Sequence, residues 1–94
     1  MITRIVKMTF LKGKEKNFLE IFRENENTIR NFEGCSHLEL WNDINEPAVF
    51  FTYSLWESED HLKNYRDSEL FRSVWEKTSA LFSEKAEARS LTKQ

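Results

Sequence analysis

The sequence predicts an α+β domain of the ferredoxin-like order β-α-β-β-α-β, with a four-stranded antiparallel sheet and the helices on one of its faces. Apolar and polar residues alternate in four segments, as they do in half-buried strands. Two longer segments repeat apolar residues at helical spacing. The only glycines, Gly13 and Gly34, and the only proline, Pro47, fall between these segments, where turns are expected.

The first half of the chain predicts a strand, a helix and a second strand. Ile2–Phe10 alternates, which indicates the first strand. Glu15–Phe32 carries an apolar stripe opposite a charged face, which indicates a helix. Gly34 suits the left-handed conformation that often follows a helix, and His37–Asn42 alternates again.

The second half predicts a strand, a broken helix and a final strand. Ala48–Trp56 is rich in β-branched and aromatic residues on both faces. Ser58 and Ser68 each precede an acidic residue and a helical pattern, so both are predicted N-caps and the helix is predicted to break between them. Glu84–Thr92 alternates more weakly and is interpreted as the fourth strand.

Length and composition limit the class of protein. The 94 residues are expected to form a single domain, 1–94, and 32% of them are charged. The net charge is −2 with no basic face, so nucleic acid is not an expected partner. No apolar run approaches the ~20 residues of a membrane span, so no membrane association is expected. The single cysteine, Cys35, excludes an internal disulfide, and we expect a cytoplasmic protein.

The third predicted strand is apolar on a face that the helices cannot reach. Val49, Phe51, Tyr53 and Leu55 share that face, and an exposed surface of this kind would aggregate. Packing two such sheets together would bury the side chains, at roughly 1.5–3 kcal/mol each. A homodimer is therefore expected.

The other face of the same strand predicts a cleft. Thr52 and Ser54 lie between the bulky Phe50 and Trp56, and small residues under a helix pair leave room. Aromatic walls with a few polar groups are typical of a ligand pocket. The alternative is that side chains from the helices fill this room, namely Phe22, Ile29, Phe71 and Trp75.

Three segments resemble a known family. They are Leu11–Lys14 after the first strand, Phe32–Cys35 after the first helix, and Leu55–Leu62, which contains Trp-Glu-Ser. With these segments the chain resembles the antibiotic biosynthesis monooxygenases of the dimeric α+β barrel group, and the match in element order covers nearly the whole chain. The resemblance implies that two sheets close a barrel, with a small-molecule cleft in each subunit. It also implies oxidation of aromatic polyketides, quinols or heme by oxygen, in many members without metal, flavin or nicotinamide.

The branches of that family carry residues that this chain lacks. Trp56 matches the tryptophan of the polyketide-oxidising branch, but Thr52 and Leu62 stand where that branch has Asn and Tyr. Tyr65 and Leu70 stand where many quinol-oxidising members have His. The resemblance therefore implies the family's cleft without its usual proton acceptors.

No cofactor is expected. Val6, Tyr65 and Trp75 stand where the heme-degrading branch has Asn, Trp and the axial His, so heme is considered and disfavoured. The two histidines, His37 and His61, lie on separate elements with no cysteine at ligand spacing, so no metal site is predicted.

The predicted function is that of a cofactor-independent monooxygenase acting on a small aromatic or quinol-type molecule. Removal of a proton would give a carbanion that reacts directly with oxygen, in a cleft that excludes water. Tyr65 would donate its hydroxyl or carry a proton, and His61 is the cleft-side candidate for a group that titrates near neutral pH. The predicted catalytic residues are Tyr65, His61, Trp56 and Thr52. The predicted substrate-binding residues are Val6, Met8, Phe22, Phe50, Ser54, Phe71 and Trp75.

Three alternatives remain open. A packing role at the end of its strand is the interpretation we favour for Trp56. The whole chain is also compatible with a dimeric binding module that kept the cleft without the chemistry. An RNA-binding domain shares the strand order, but it needs a basic-glycine-aromatic motif that Ala48–Trp56 lacks.

Overall fold

The computed structural model describes residues Met1–Gln94 and contains four strands and three helices. In chain order these are β1 (Ile2–Thr9), α1 (Glu15–Arg30), β2 (Cys35–Asn42), β3 (Val49–Trp56), α2 (Glu59–Arg66), α3 (Glu69–Ser79) and β4 (Glu87–Leu91). The strands form one antiparallel sheet in the order β2-β3-β1-β4. The predicted ferredoxin-like class is confirmed.

Both predicted helix caps are present. The Ser58 hydroxyl accepts the backbone N–H of His61 at 3.2 Å, and the Ser68 hydroxyl accepts that of Phe71 at 3.1 Å. Each bond satisfies a donor that a helix N-terminus leaves free, so the chain can end one helix and begin the next within a few residues. The predicted break between α2 and α3 is confirmed.

The bounds of several elements differ from the prediction by one to three residues, and β2 begins at Cys35 rather than His37. α1 ends at Arg30 rather than Phe32, because the N–H of Phe32 donates to the carbonyl of Ile29, three residues back, so the helical i to i−4 pattern stops. β4 begins at Glu87 rather than Glu84. The N–H of Ser83 donates to the carbonyl of Thr9, so the segment before β4 lies against the end of β1. Regular pairing with β1 begins only at Glu87, opposite Lys7.

The densest part of the core lies between α1 and one end of the sheet. Phe10 and Phe18 are stacked with ring centroids 4.3 Å apart, and the Phe50 ring lies edge-on to both, at 5.8 and 5.2 Å. These three side chains are buried. Close packing at this end leaves the remaining space between sheet and helices near the other end of β1.

The opposite face of the sheet carries no helix. Tyr53 lies there opposite Ile5 of β1, and its ring stacks on Trp41 at 5.1 Å. Trp41 is 47% exposed. Its indole N–H donates to Glu39 at 2.7 Å, and Glu39 also contacts the imidazole of His37, whose hydrogen bond is the main reason that the pKa of Glu39 is lowered. We call this helix-free surface the open face.

None of the helices combines the length and the hydropathy that a membrane crossing requires.

Candidate functional site

A cavity of about 280 Å³ lies between the sheet and the three helices. Its lining is mostly apolar, with side chains from all four strands and all three helices. The five polar lining residues are Arg4, Thr52, Ser54, Arg66 and Thr78. An enclosed apolar space with a few polar groups is the usual form of a small-molecule site.

Small side chains on adjacent strands create the space. Thr52 of β3 lies opposite Val6 of β1, and Val6 in turn lies opposite Ala88 of β4. In the next cross-strand pair on the same face, Ser54 lies opposite Arg4. Beside these small side chains, Leu38 of β2 packs with Phe22 and Ile29 of α1 in the core and lines the same cavity. The prediction of a cleft over Thr52 and Ser54 is confirmed in its position.

The helix side chains line this space and do not fill it. The four residues that were the alternative occupants, Phe22, Ile29, Phe71 and Trp75, all belong to the cavity wall. Phe71 and Trp75 stack on each other with centroids 5.6 Å apart, so their rings lie side by side along α3. The alternative in which they occupy the room is wrong.

Trp56 is both a core residue and part of the wall. It is 1% exposed, and its indole N–H donates to the Ser54 hydroxyl at 3.0 Å. Its ring stacks on Tyr65 at 4.8 Å, and Tyr65 meets Phe71 edge-on at 5.2 Å. Trp56 therefore packs in the core, as favoured, and its side chain also lines the cavity.

Tyr65 is held as a neutral phenol. Burial raises the pKa of its hydroxyl far above the usual range, and the nearby Cys35 contributes in the same direction. The hydroxyl makes no hydrogen bond within the chain, although Tyr65 belongs to the cavity lining. It is therefore suited to donate a hydrogen bond to a ligand and poorly suited to act as a base.

Most of the predicted site residues meet around the cavity. Those that line it are Val6, Met8, Phe22, Thr52, Ser54, Trp56, Tyr65, Phe71 and Trp75. Phe50 does not, because its ring is enclosed between Phe10 and Phe18 in the core. Its predicted contact with substrate is corrected to a packing role.

His61 also lies outside the cavity, and its predicted position in the cleft is wrong. Its Nδ1 is 2.7 Å from the Ser58 hydroxyl, and its Nε2 is 3.6 Å from a carboxylate oxygen of Glu57. The ring lies over Gly34, where a methyl group on the glycine Cα would overlap the Cβ and the ring of His61. The first turn of α2 faces the Gly34 turn because that glycine leaves room for the imidazole.

This contact predicts a difference between the two glycines. The backbone φ angles of Gly34 and Gly13 are nearly equal, at +91° and +90°. Substituting alanine at either position should therefore lower the free energy of unfolding by about 1–2 kcal/mol. Only at Gly34 does the new methyl group meet His61, which should add about 1–3 kcal/mol. Urea unfolding of Gly34→Ala and Gly13→Ala measures both values. Equal losses would show that the imidazole moves aside freely.

Three polar lining residues were missed from the sequence. Thr78 is 3% exposed and its hydroxyl has no hydrogen-bond partner in the chain. Arg4 lies on the helix-facing side of β1, and Arg66 lies at the end of α2. The available signal was a break in the apolar pattern. Arg4 stands two residues before Val6 on a predicted core face, and Thr78 stands in the apolar stripe of its helix.

The lining contains no carboxylate and no imidazole. No group of three or more His, Cys, Asp or Glu side chains comes together that could hold a metal ion. The polar chemistry of the cavity is therefore limited to hydroxyl groups and two guanidinium groups.

The fold and the cavity define an α+β protein of ferredoxin-like topology that encloses a small-molecule-sized space between sheet and helices. The family model described as antibiotic biosynthesis monooxygenase matches residues 1–77. The chain belongs to this family.

Solved structures share the fold at low sequence identity. A crystal structure of an antibiotic biosynthesis monooxygenase has a TM-score of 0.94 at 17% identity, covering 100% of this chain and 99% of the other. A conserved protein from Methanosarcina mazei Go1 gives 0.92 at 18%, covering 100% and 94%. A protein from Pseudomonas aeruginosa gives 0.87 at 19%, covering 99% and 93%. No curated protein matched the chain.

Proposed function

We propose that the protein is a cofactor-independent monooxygenase that oxidises a small aromatic or quinol-type molecule with O2 inside the cavity. The observation that carries the proposal is the cavity's wall of aromatic rings, from Trp56 through Tyr65 and Phe71 to Trp75, in a chain of the monooxygenase family.

The size of the cavity limits the substrate. An engineered apolar cavity of about 150 Å³ binds benzene. The 280 Å³ here suits a molecule of one or two aromatic rings, and it is small for a larger polycyclic compound. Flat walls such as the stacked Phe71 and Trp75 favour a planar substrate.

The proposed chemistry uses electrons from the substrate alone. A methylene group activated by a neighbouring phenol or enol transfers a proton to water, the resulting carbanion reacts with O2, and the peroxide that forms takes up a proton and eliminates water. The balanced outcome is a carbonyl group and one water, from CH2 and O2. Tyr65, held as a neutral phenol, would donate a hydrogen bond to the substrate oxygen on which negative charge develops. Thr52 lies beside that space as a further hydroxyl donor.

The proposal includes a homodimer formed through the open face. Phe51, Tyr53 and Leu55 alternate along β3 on this face, and none of the helices covers them. Ile5 of β1 and Trp41 of β2 extend the apolar surface to both sides. A second copy of the same sheet is complementary to this surface, and burying it would stabilise the assembled form.

Oxygen consumption tests the catalytic proposal. With a panel of one- and two-ring hydroquinones and anthrone analogues, we expect enzyme-dependent O2 uptake in proportion to product. Tyr65→Phe should lower kcat by about 10²-fold, the usual scale for a positioned proton donor. Tyr53→Phe removes the same hydroxyl from the open face and should leave kcat unchanged.

The second candidate is a dimeric binding module without catalytic activity. The absence of a base from the lining and the raised pKa of Tyr65 favour it. Calorimetric binding of the same compounds without any O2 uptake would establish the module and reject the monooxygenase.

A further inference from the structure

Two guanidinium groups line the cavity without a carboxylate partner. Arg4 and Arg66 both belong to the lining, and neither is within ion-pair distance of an Asp or Glu. The other contact of Arg4 is a hydrogen bond from its Nη1 to the Ser90 hydroxyl, at 3.0 Å. Arg4 is half-buried and Arg66 is exposed, so these two charges lie where the cavity meets the solvent.

The two charges also act on each other. Partial burial lowers the pKa of Arg4, and the positive charge of Arg66 lowers it further. Two like charges beside one apolar space repel each other, and an anion between them would relieve this repulsion and compensate the partial desolvation of Arg4. The planar guanidinium group also matches the geometry of a carboxylate.

We propose that the cavity binds its aromatic ligand as an anion, with a carboxylate or similar oxyanion held between Arg4 and Arg66. The inference rests on the proposed function, since it assigns a chemical class to the ligand of the same cavity.

A second polar group lies towards the other end of the cavity. The carbonyl of Thr78 accepts the N–H of Leu81, whose own carbonyl accepts the N–H of Leu11, just beyond the end of β1. Arg4 lies near the start of β1, about 13 Å from Met8 at strand spacing. The unpaired Thr78 hydroxyl therefore suits a hydrogen-bonding group on the ligand opposite its acidic group.

These positions define a probe with two polar ends, 6-hydroxy-2-naphthoate. Two control ligands each lack one feature: its methyl ester, which is uncharged, and 2-naphthoate, which has no hydroxyl group. Calorimetry under nitrogen measures binding without any requirement for turnover. We expect the acid to bind about 10-fold or more tightly than the ester, as charge-assisted hydrogen bonds should provide.

Variants assign the preference to the residues. Arg4→Gln should weaken binding of the acid about 10-fold and leave the ester within about twofold. Arg66→Gln should act in the same direction. Arg72→Gln is the matched control, because this exposed arginine of α3 contacts Glu69 and the Asp67 carbonyl outside the cavity. Thr78→Val should lower the affinity for 6-hydroxy-2-naphthoate to that for 2-naphthoate.

Each outcome decides between the proposals. Equal affinity for acid and ester, or equal weakening of both by Arg4→Gln, overturns the anion site and leaves a cavity for neutral aromatic ligands. Failure of all three ligands to bind overturns the aromatic cavity itself and the proposed function with it. Near-ultraviolet circular dichroism checks the fold of each variant. If Arg4→Gln does not fold, Arg66→Gln gives the same comparison.

Discussion

Replacing Phe51 with aspartate is expected to leave the protein monomeric. Phe51 lies on the open face opposite Lys7 of β1, with Trp41 of β2 as its other neighbour in the sheet. Loss of one buried phenylalanine costs about 1.5–3 kcal/mol, and a two-fold interface loses it twice. Since about 1.4 kcal/mol is a factor of ten, dimer dissociation should increase roughly 10²- to 10⁴-fold, before the cost of the buried charge is counted.

Light scattering after gel filtration measures this change directly. The chain has a mass of 11.3 kDa, so the proposed dimer should give twice that mass and Phe51→Asp should give the single value. Ile44→Asp is the matched control, because Ile44 is 97% exposed in the turn between β2 and β3. A monomeric wild-type protein at micromolar concentration would contradict the dimer, whatever the variants do.

The second large effect is expected at Trp56. Its side chain is 1% exposed, and alanine there should cost about 3–5 kcal/mol of unfolding free energy. The substitution also removes the donor to the Ser54 hydroxyl, which is itself buried, and the ring on which Tyr65 stacks. Ligand binding should fall together with stability, since the same ring belongs to the cavity wall.

Urea unfolding distinguishes the two contributions of this residue. Trp56→Phe keeps a ring against Tyr65 and loses the indole N–H, so it should cost clearly less than Trp56→Ala. A loss below about 1 kcal/mol for Trp56→Ala would mean that the site collapses around the missing ring, contrary to the close packing of Trp56 against its neighbours.

The parts of the fold that the sequence predicted depend on local patterns. Alternation in β1 and β3 and the caps at Ser58 and Ser68 reflect interactions between residues close in the chain, and these were confirmed. The cleft was predicted because Thr52 and Ser54 are small residues on a face that must meet helices. Such inferences need only the direction in which each side chain points from its strand.

The errors arose where the answer depends on contacts between distant segments. The sequence pattern places His61 in the cleft, but the direction of the first turn of α2 is set by its contact with Gly34, far away in the chain. Arg4 and Thr78 were missed because each stands within an apolar pattern that predicts only packing. A polar residue at a predicted core position was the more informative observation, since burial without a partner is costly.

Neighbouring residues of β3 serve different surfaces of the protein. Thr52 and Ser54 face the cavity, whereas Phe51 and Tyr53 face the other way. A single substitution at one of these four positions therefore changes the shape of the cavity or the surface proposed for the dimer, but not both at once. Ligand preference and dimerisation can thus be altered independently on one strand.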